Sequence, residues 1–163
     1  MPLVNKGFVS QVKHQLASYN DYHYDALELC LKPDYSVYDG RFSNNGWLQE
    51  IADPITKISW DNAALMSPKT AENLGITSEE MIELMVKNAR LKVVVYVVPG
   101  MVENSISLAL GYGQQSSGRI ASGVGFNGYQ LVYDNALITP VTMTQTFDRY
   151  PLSNTQEQLT LAG

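Results

Sequence analysis

The segment Ser67-Pro-Lys-Thr-Ala-Glu-Asn-Leu-Gly75 and the valine-rich segment Val93-Val-Val-Tyr-Val-Val98 decide the fold class of this chain. In the first segment Ser67 is a helix N-cap, Pro68 occupies the first helical position, and Gly75 supplies the left-handed residue at which the helix ends. In the second segment the density of β-branched residues favours a strand. A short helix followed by a buried strand is therefore predicted at the centre of the chain.

The strand over 91–98 needs a partner, which favours a hairpin with residues 81–86 across the turn Lys87-Asn-Ala-Arg90. The alternative for 81–86 is a helix that begins at Thr77, because Thr77-Ser-Glu-Glu80 matches a capping box. Outward from this centre, alternating or β-branched residues predict further strands at 26–32, 105–110, 129–133 and 136–147. The sequence therefore predicts a mainly β fold with short helices.

Two long stretches lack any periodicity. Residues 33–53 contain turn formers such as Asp39-Gly40, and a connection of this length is typical of a functional loop or of one that covers a partner surface. Six of the twelve glycines lie between Gly111 and Gly128, and such a loop lets the backbone approach a neighbour closely. We expect the polar tail after Tyr150-Pro151 to be ordered only by a neighbouring domain.

The composition excludes several classes of protein. The chain has 163 residues, of which 45% are apolar and 17% charged, as in an ordinary globular domain. The net charge of −5 and the eleven scattered basic residues argue against a nucleic-acid-binding surface. Cys30 is the only cysteine, so this chain alone holds no disulfide, iron–sulfur cluster or structural zinc. No segment approaches the roughly 18 apolar residues that span a bilayer.

Familiar enzyme motifs are absent or fall in the wrong context. Gly123-Val-Gly-Phe-Asn-Gly128 matches the dinucleotide fingerprint G-x-G-x-x-G, but loop precedes it and an extended segment follows it. No helix N-terminus is then available for a pyrophosphate. Neither His14 nor His23 has a second ligand or a nucleophile at a useful spacing, so both are interpreted as structural. The residues alone predict a mainly β domain without a recognisable active site.

A longer stretch carries a family resemblance. Trp47-Leu-Gln-Glu-Ile-Ala-Asp-Pro-Ile-Thr-Lys-Ile-Ser-Trp-Asp-Asn62, followed by Ala63–Ile76 and later by Val97-Val-Pro-Gly100, resembles the C-terminal domain of molybdopterin oxidoreductases. In that domain a strand ending in Trp-Asp-Asn leads to a short helix, a strand hairpin and a Pro-Gly pair. The chain is more closely similar to the molybdopterin-oxidoreductase-like iron–sulfur subunit of bacterial alternative complex III, a quinol:electron-acceptor oxidoreductase. The segments that carry this second likeness are Asp39–Glu50, Asn104–Gly113, Gly118-Arg119, Gly123–Asn127 and Tyr150–Gln156.

The resemblance covers about residues 26 to 157 and implies a double-psi β-barrel, as in the aspartate-decarboxylase-like folds. It divides the chain into an N-terminal helical extension (1–25), a barrel domain (26–148) and a tail (149–163) that leads to an iron–sulfur domain. The parent protein is then exported to the periplasmic side of the inner membrane, and its signal segment and cluster-binding cysteines lie outside this sequence. The implied partners are sister domains of the same parent and other subunits of a respiratory complex, with no nucleic acid and no direct membrane span.

The chain departs from the expected family pattern in three places. Gln114 stands where a basic residue commonly follows Gly-Tyr-Gly, which weakens any anion site because arginine is the natural phosphate ligand. Ala89 replaces the glycine that is usual in the hairpin turn. Gln158-Leu159 occupy places where histidines are expected, which weakens a coupling of the tail to a cluster or to quinol.

Two hypotheses follow from the resemblance. The first is a structural and interaction domain without a cofactor of its own, in which Trp60, Asn62, Phe126 and Asn127 pack and brace loops and no residue is catalytic. The second is a genuine molybdopterin guanine dinucleotide-binding domain, in which Lys57 contacts phosphate and Thr56 and Asn62 bind the base or sugar. The candidate cofactor-binding residues of the second hypothesis are Thr56, Lys57, Trp60, Asp61, Asn62, Phe126, Asn127 and Gly128. An unrelated double-psi barrel enzyme is the remaining alternative.

Overall fold

The structure is a computed structural model, and it describes Ser10, residues 26–115 and residues 118–155. The N-terminal helical extension (1–25) implied by the resemblance lies outside the described residues, Ser10 apart. The end of the tail, residues 156–163, lies outside them as well.

The described chain is mainly β, as predicted. Its strands are β1 (Glu28–Lys32), β2 (Ala64–Met66), β3 (Glu80–Val86), β4 (Ala89–Val97), β5 (Ser105–Ala109), β6 (Ile138–Pro140) and β7 (Thr142–Arg149). Its helices are α1 (Gly46–Glu50), α2 (Pro68–Leu74) and a 3₁₀ helix (Gly128–Leu131). The strands form one sheet in the order β6-β1-β5-β2-β4-β3-β7. The pairs β1–β5 and β2–β4 are parallel, and the other neighbours are antiparallel.

The sheet curls so that its two edges approach each other. Strands β6 and β7 stand at opposite ends of the strand order, yet only Val141 separates them in sequence. The amide of Val141 donates to the carbonyl of Leu27, next to β1, at 2.9 Å, while the chain beyond it pairs with β3. A flat seven-stranded sheet would hold these edges roughly 29 Å apart at about 4.8 Å per strand. The described strands therefore form a curled, half-barrel sheet.

The central helix and hairpin are confirmed. Helix α2 has Ser67 as its N-cap, whose side chain accepts from the Thr70 amide, and it ends at Gly75 with φ of 67°. The alternative helix from Thr77 is wrong, although Glu80 does accept from the Thr77 amide at 2.9 Å as a capping box would. The chain continues into β3 because alternate residues of that strand, beginning at Ile82, are buried in the sheet core.

Other sequence predictions need correction. The predicted strand over 129–133 is instead the 3₁₀ helix, because the Asn127 side chain caps the Tyr129 amide and turns the chain. The predicted strand over 136–147 is divided at Val141, where the chain crosses from one sheet edge to the other. The resemblance implies a strand that ends in Trp60-Asp61-Asn62. In the structure these residues precede the strand, which is β2. The long loop 33–53 contains α1.

The main core cluster is formed mainly by residues of the strands and of α2. It is built from aliphatic residues with few exceptions, and its largest fully buried members are Leu29, Leu31, Met66, Ile82, Leu84, Ile106, Leu108 and Leu131. A smaller cluster of Ile58, Ala63, Val94 and Leu152 joins the loop before β2 to the tail. The second cluster ties the candidate site residues to the end of the described chain.

Candidate functional site

The turn Trp60-Asp61-Asn62 and the glycine-rich loop meet at the Asn62 side chain. Asn62 Nδ2 donates to the carbonyl oxygens of Ala109 at 2.7 Å and Phe126 at 2.9 Å. Asn62 Oδ1 accepts from the Phe126 amide at 2.7 Å. The side chain is 3% exposed, so both its donor protons and its oxygen are engaged by backbone groups. The expectation that Asn62 braces the loops is confirmed.

Two glycines allow this close approach. Gly125 has φ of 67°, and a Cβ there would lie 2.7 Å from Asn62 Oδ1 and 2.8 Å from Tyr112 Cβ. Gly113 has φ of 71°, and a Cβ there would overlap the backbone of Asn127. The backbone of the glycine-rich loop thus approaches its neighbours closely, as predicted, but those neighbours are parts of the same chain.

Asp61, next to Asn62, is bound by the tail. Tyr150 Oη donates to Asp61 Oδ2 at 2.8 Å, and the Tyr150 ring also meets Phe126 edge-on with centroids 5.4 Å apart. Burial raises the pKa of Asp61 to about 6, although the hydrogen bond from Tyr150 acts in the opposite direction. Burial also raises the pKa of Tyr150 to about 12, with a further contribution from Asp61. Asp61 Oδ1 is buried and has no hydrogen-bond partner among the described residues.

The loop that carries Thr56 and Lys57 is fixed from both sides. Asp53 Oδ1 accepts from the Thr56 amide at 2.7 Å and from Thr56 Oγ1 at 3.1 Å. Burial acts to raise the pKa of Asp53, but the hydrogen bonds from Thr56 and its neighbour outweigh that effect and hold the pKa below its ordinary value. On the other side Asn154 Nδ2 donates to the Thr56 carbonyl at 3.1 Å, and the Thr155 amide donates to the Lys57 carbonyl at 3.1 Å.

These contacts correct the expectation for the tail. Residues 150–155 hydrogen-bond to the chain's own loops, because the Ser59 amide also donates to the Ser153 carbonyl at 3.0 Å and the Leu152 amide to Glu79 Oε1 at 3.2 Å. A neighbouring domain is therefore not required to order this part of the tail.

A cavity of about 300 Å³ lies beside these loops. Thr56, Asp61 and Asn62 line it together with Asp34, Asp53 and Tyr112, which no sequence motif indicated as site residues. Burial raises the pKa of the Tyr112 hydroxyl above its ordinary value, and the nearby Asp34 carboxylate adds to the effect. Asp34 and Asp53 both use one carboxylate oxygen to accept backbone amides of the residues that follow them. Their pattern is that of loop-closing aspartates.

An apolar surface borders the cavity. We define the apolar face as Tyr35, Trp47, Ile51, Ile55 and Ile120, all of which are exposed. Tyr35, Ile51 and Ile55 line the mouth of the cavity, whereas Trp47 and Ile120 line an adjacent open groove. The two parts join at α1, because the Ile51 amide donates to the Trp47 carbonyl one helical turn away. Trp47, at 84% exposed, is the most accessible member.

The structure brings some of the sequence-predicted site residues together and separates others. Asp61, Asn62, Phe126 and Asn127 meet around the Asn62 and Tyr150 side chains. Trp60 instead faces the groove beside Trp47. Gly128 begins the 3₁₀ helix and packs against Leu110.

Several structurally important partners were missed from the sequence. Asp53-Pro-Ile-Thr56 has the spacing of a side-chain-capped turn and could have been found from that signal. Tyr150 and Asn154 act across 89 and 98 residues of separation, and no local pattern announces such contacts. Within the part of the chain that the structure describes, there is no cluster of three or more metal-ligating side chains. None of its helices has the length and hydropathy to cross a membrane.

Several solved structures are similar to this chain. No protein family and no curated protein matches the chain. Among solved structures, acetylene hydratase from Pelobacter acetylenicus is similar with a TM-score of 0.48 and 22% sequence identity over 77% of this chain. The chain spans only 16% of the length of that protein.

Proposed function

We propose that this chain is a structural and interaction domain of a larger molybdopterin-oxidoreductase-like protein, and that it has no catalytic activity by itself. The proposed fold is the double-psi β-barrel, which the curled sheet and the meeting of its edges at Val141 support. In the parent, the apolar face would be covered by sister domains, and iron–sulfur clusters would lie beyond Gly163.

The exposed apolar face beside rigidly braced loops carries this proposal. Covering several large apolar side chains that now face water would stabilise an interface by roughly 1.5–3 kcal/mol for each fully buried side chain. The loops around it need no ligand to become ordered, because Asn62 and the tail residues already satisfy their backbone groups. A preformed, apolar and unreactive surface is what an interaction domain requires.

The second candidate, a pterin dinucleotide-binding domain, fits the same residues less well. The polar side-chain atoms of Asn62 are all engaged with backbone, and the Thr56 hydroxyl is occupied by Asp53 and the Ile58 amide. These are the two residues that would have to bind the base or sugar. Lys57 and Asn127 retain donor groups that could contact a phosphate, but two such groups do not form a dinucleotide site. No chemical step is therefore assigned to this chain.

The wider setting is proposed from the sequence resemblance alone. It is a respiratory electron-transfer complex that oxidises quinol on the periplasmic side of the inner membrane, in which this domain contacts its sister domains and other subunits.

The size of the native polypeptide tests the proposal. An antibody raised against this chain should detect a polypeptide far larger than 18.1 kDa in its source cells, and the purified parent should contain no stoichiometric molybdenum. A native polypeptide of 18.1 kDa would overturn the proposal. A large parent with stoichiometric molybdenum would favour the second candidate, and quinol oxidation by the purified chain would refute the absence of catalysis.

A further inference from the structure

The groove beside α1 combines aromatic walls with one carboxylate. Its lining consists of Asn44, Asn45, Gly46, Trp47, Glu50, Trp60 and Ile120, and its volume is about 550 Å³. The chain contains two tryptophans, and both line this groove. Indole rings normally contribute a large buried area to a core. Two tryptophans that line an open, water-facing groove therefore indicate a role other than core packing.

The groove is held in shape by contacts within the chain. The Trp60 ring and the Ile120 side chain converge on Gly46, where a Cβ would lie 3.9 Å from Trp60 Cη2 and 3.5 Å from Ile120 Cδ1. The Trp60 amide donates to the Gln49 carbonyl at 3.0 Å, and the Ile120 amide donates to Asn44 Oδ1 at 3.2 Å. The groove is therefore preformed and does not require a ligand to assemble it.

Glu50 is the one charged residue in the lining. It follows Trp47 by three residues on α1, so the two side chains lie on neighbouring positions of one helix face. Asn45 Oδ1 accepts from the Trp47 amide, and Asn44 Oδ1 accepts from the Ile120 amide, 76 residues away in sequence. Glu50, by contrast, forms no ion pair with any described residue. Arg119 precedes Ile120 in sequence but is not part of the lining.

We propose that this groove binds an arginine side chain presented by the partner surface, an inference that rests on the proposed interaction function and specifies its chemistry. The guanidinium stacks on an indole ring through its planar face and donates hydrogen bonds to the Glu50 carboxylate. The aliphatic part of the arginine side chain covers Ile120. A neutral apolar side chain would contact the aromatic walls of the groove but would leave the Glu50 carboxylate without an ion-pair partner.

A peptide titration of the purified chain tests the proposal. The probe is acetyl-Gly-Arg-Gly-amide, the matched control is the same peptide with citrulline, which has nearly the same shape without the charge, and the readout is the two indole N–H signals in a ¹⁵N correlation spectrum. The arginine peptide should shift both indole signals and should bind roughly fivefold or more tightly than the citrulline peptide. Glu50→Gln should remove that preference, whereas Glu72→Gln, an exposed glutamate on α2, should leave it unchanged.

Equal binding of the two peptides, no indole shift with either, or an unchanged preference in Glu50→Gln would each overturn the inference. Trp47→Ala provides a second check, because it removes an exposed ring without disturbing the core and should abolish the remaining indole shift at Trp60. The two proposals fail separately. A stand-alone 18.1 kDa native protein would refute the interaction domain of a larger parent, whereas loss of the arginine preference would refute only the chemistry of the groove.

Discussion

Replacing Asn62 by alanine tests the bracing of the loops most sharply. The substitution removes three hydrogen bonds, to the Ala109 carbonyl and to both backbone groups of Phe126, at a side chain that is 3% exposed. At about 1 kcal/mol for each bond, the free energy of unfolding should fall by about 3 kcal/mol. For a domain of this size, about 2–4 °C per kcal/mol gives a decrease in melting temperature of about 6–12 °C.

The assay is urea unfolding monitored by circular dichroism, with Asn127→Ala as the matched control. Asn127 lies in the same region but makes one local capping hydrogen bond, to the Tyr129 amide at 3.1 Å, so its replacement should cost about 1 kcal/mol. A loss in Asn62→Ala that is no larger than the loss in Asn127→Ala would refute the reasoning. Asn62→Asp should also destabilise at neutral pH, because a carboxylate would face the two carbonyl oxygens that Nδ2 now contacts.

Three further predictions concern the same region. Gly125→Ala should lower the free energy of unfolding, measured in urea, by more than about 2 kcal/mol, because φ is 67° and the added Cβ would meet Asn62 and Tyr112. Gly75→Ala, where φ is also 67° but the space is open, should lower the free energy of unfolding less. The folded-state pKa of Asp61 is raised to about 6, so the folded state binds more protons than the unfolded state and stability falls as pH rises from about 4 to 6. Asp61→Asn should therefore stabilise the protein more at pH 7.5 than at pH 4.5. An equal effect at both pH values would contradict the raised pKa. Truncation after Arg149 should accelerate hydrogen exchange at the Ser59 amide, because that amide loses its acceptor, the Ser153 carbonyl. Exchange within β4 should stay slow. Unchanged protection of the Ser59 amide would show that the tail does not hold the loop.

Local signals in the sequence were sufficient to predict the centre of the fold. The caps of α2 and the β-branched residues of β4 act within a few residues, whereas β3 was predicted because β4 needs a partner. The segment after Gly128 was not predictable in the same way. Its valine and tyrosine residues favour a strand, but the Asn127 cap and the burial of Leu131 turn it into a 3₁₀ helix.

Contacts between distant segments explain what the sequence did not predict about the site. Asn62 was identified as a brace because a buried asparagine must satisfy backbone groups, yet its partners, 47 and 64 residues away, could not be inferred. The exposure of Trp47 was equally hidden, because its neighbours Leu48 and Gln49 turn inward on α1 while Trp47 turns to water. The division of 136–147 at Val141 depends on the curl of the whole sheet, which cannot be inferred from that segment alone.

The accessibility of Trp47 tests the central claim most directly. Hydroxyl-radical footprinting can compare the oxidation of Trp47 in the isolated chain and in the full-length parent, because mass spectrometry identifies the peptide that contains Trp47. We predict strong oxidation in the isolated chain and several-fold weaker oxidation in the parent, where a sister domain covers the apolar face. Equal oxidation in both would mean that the apolar face remains open to water, which contradicts the assignment of this chain as an interaction domain.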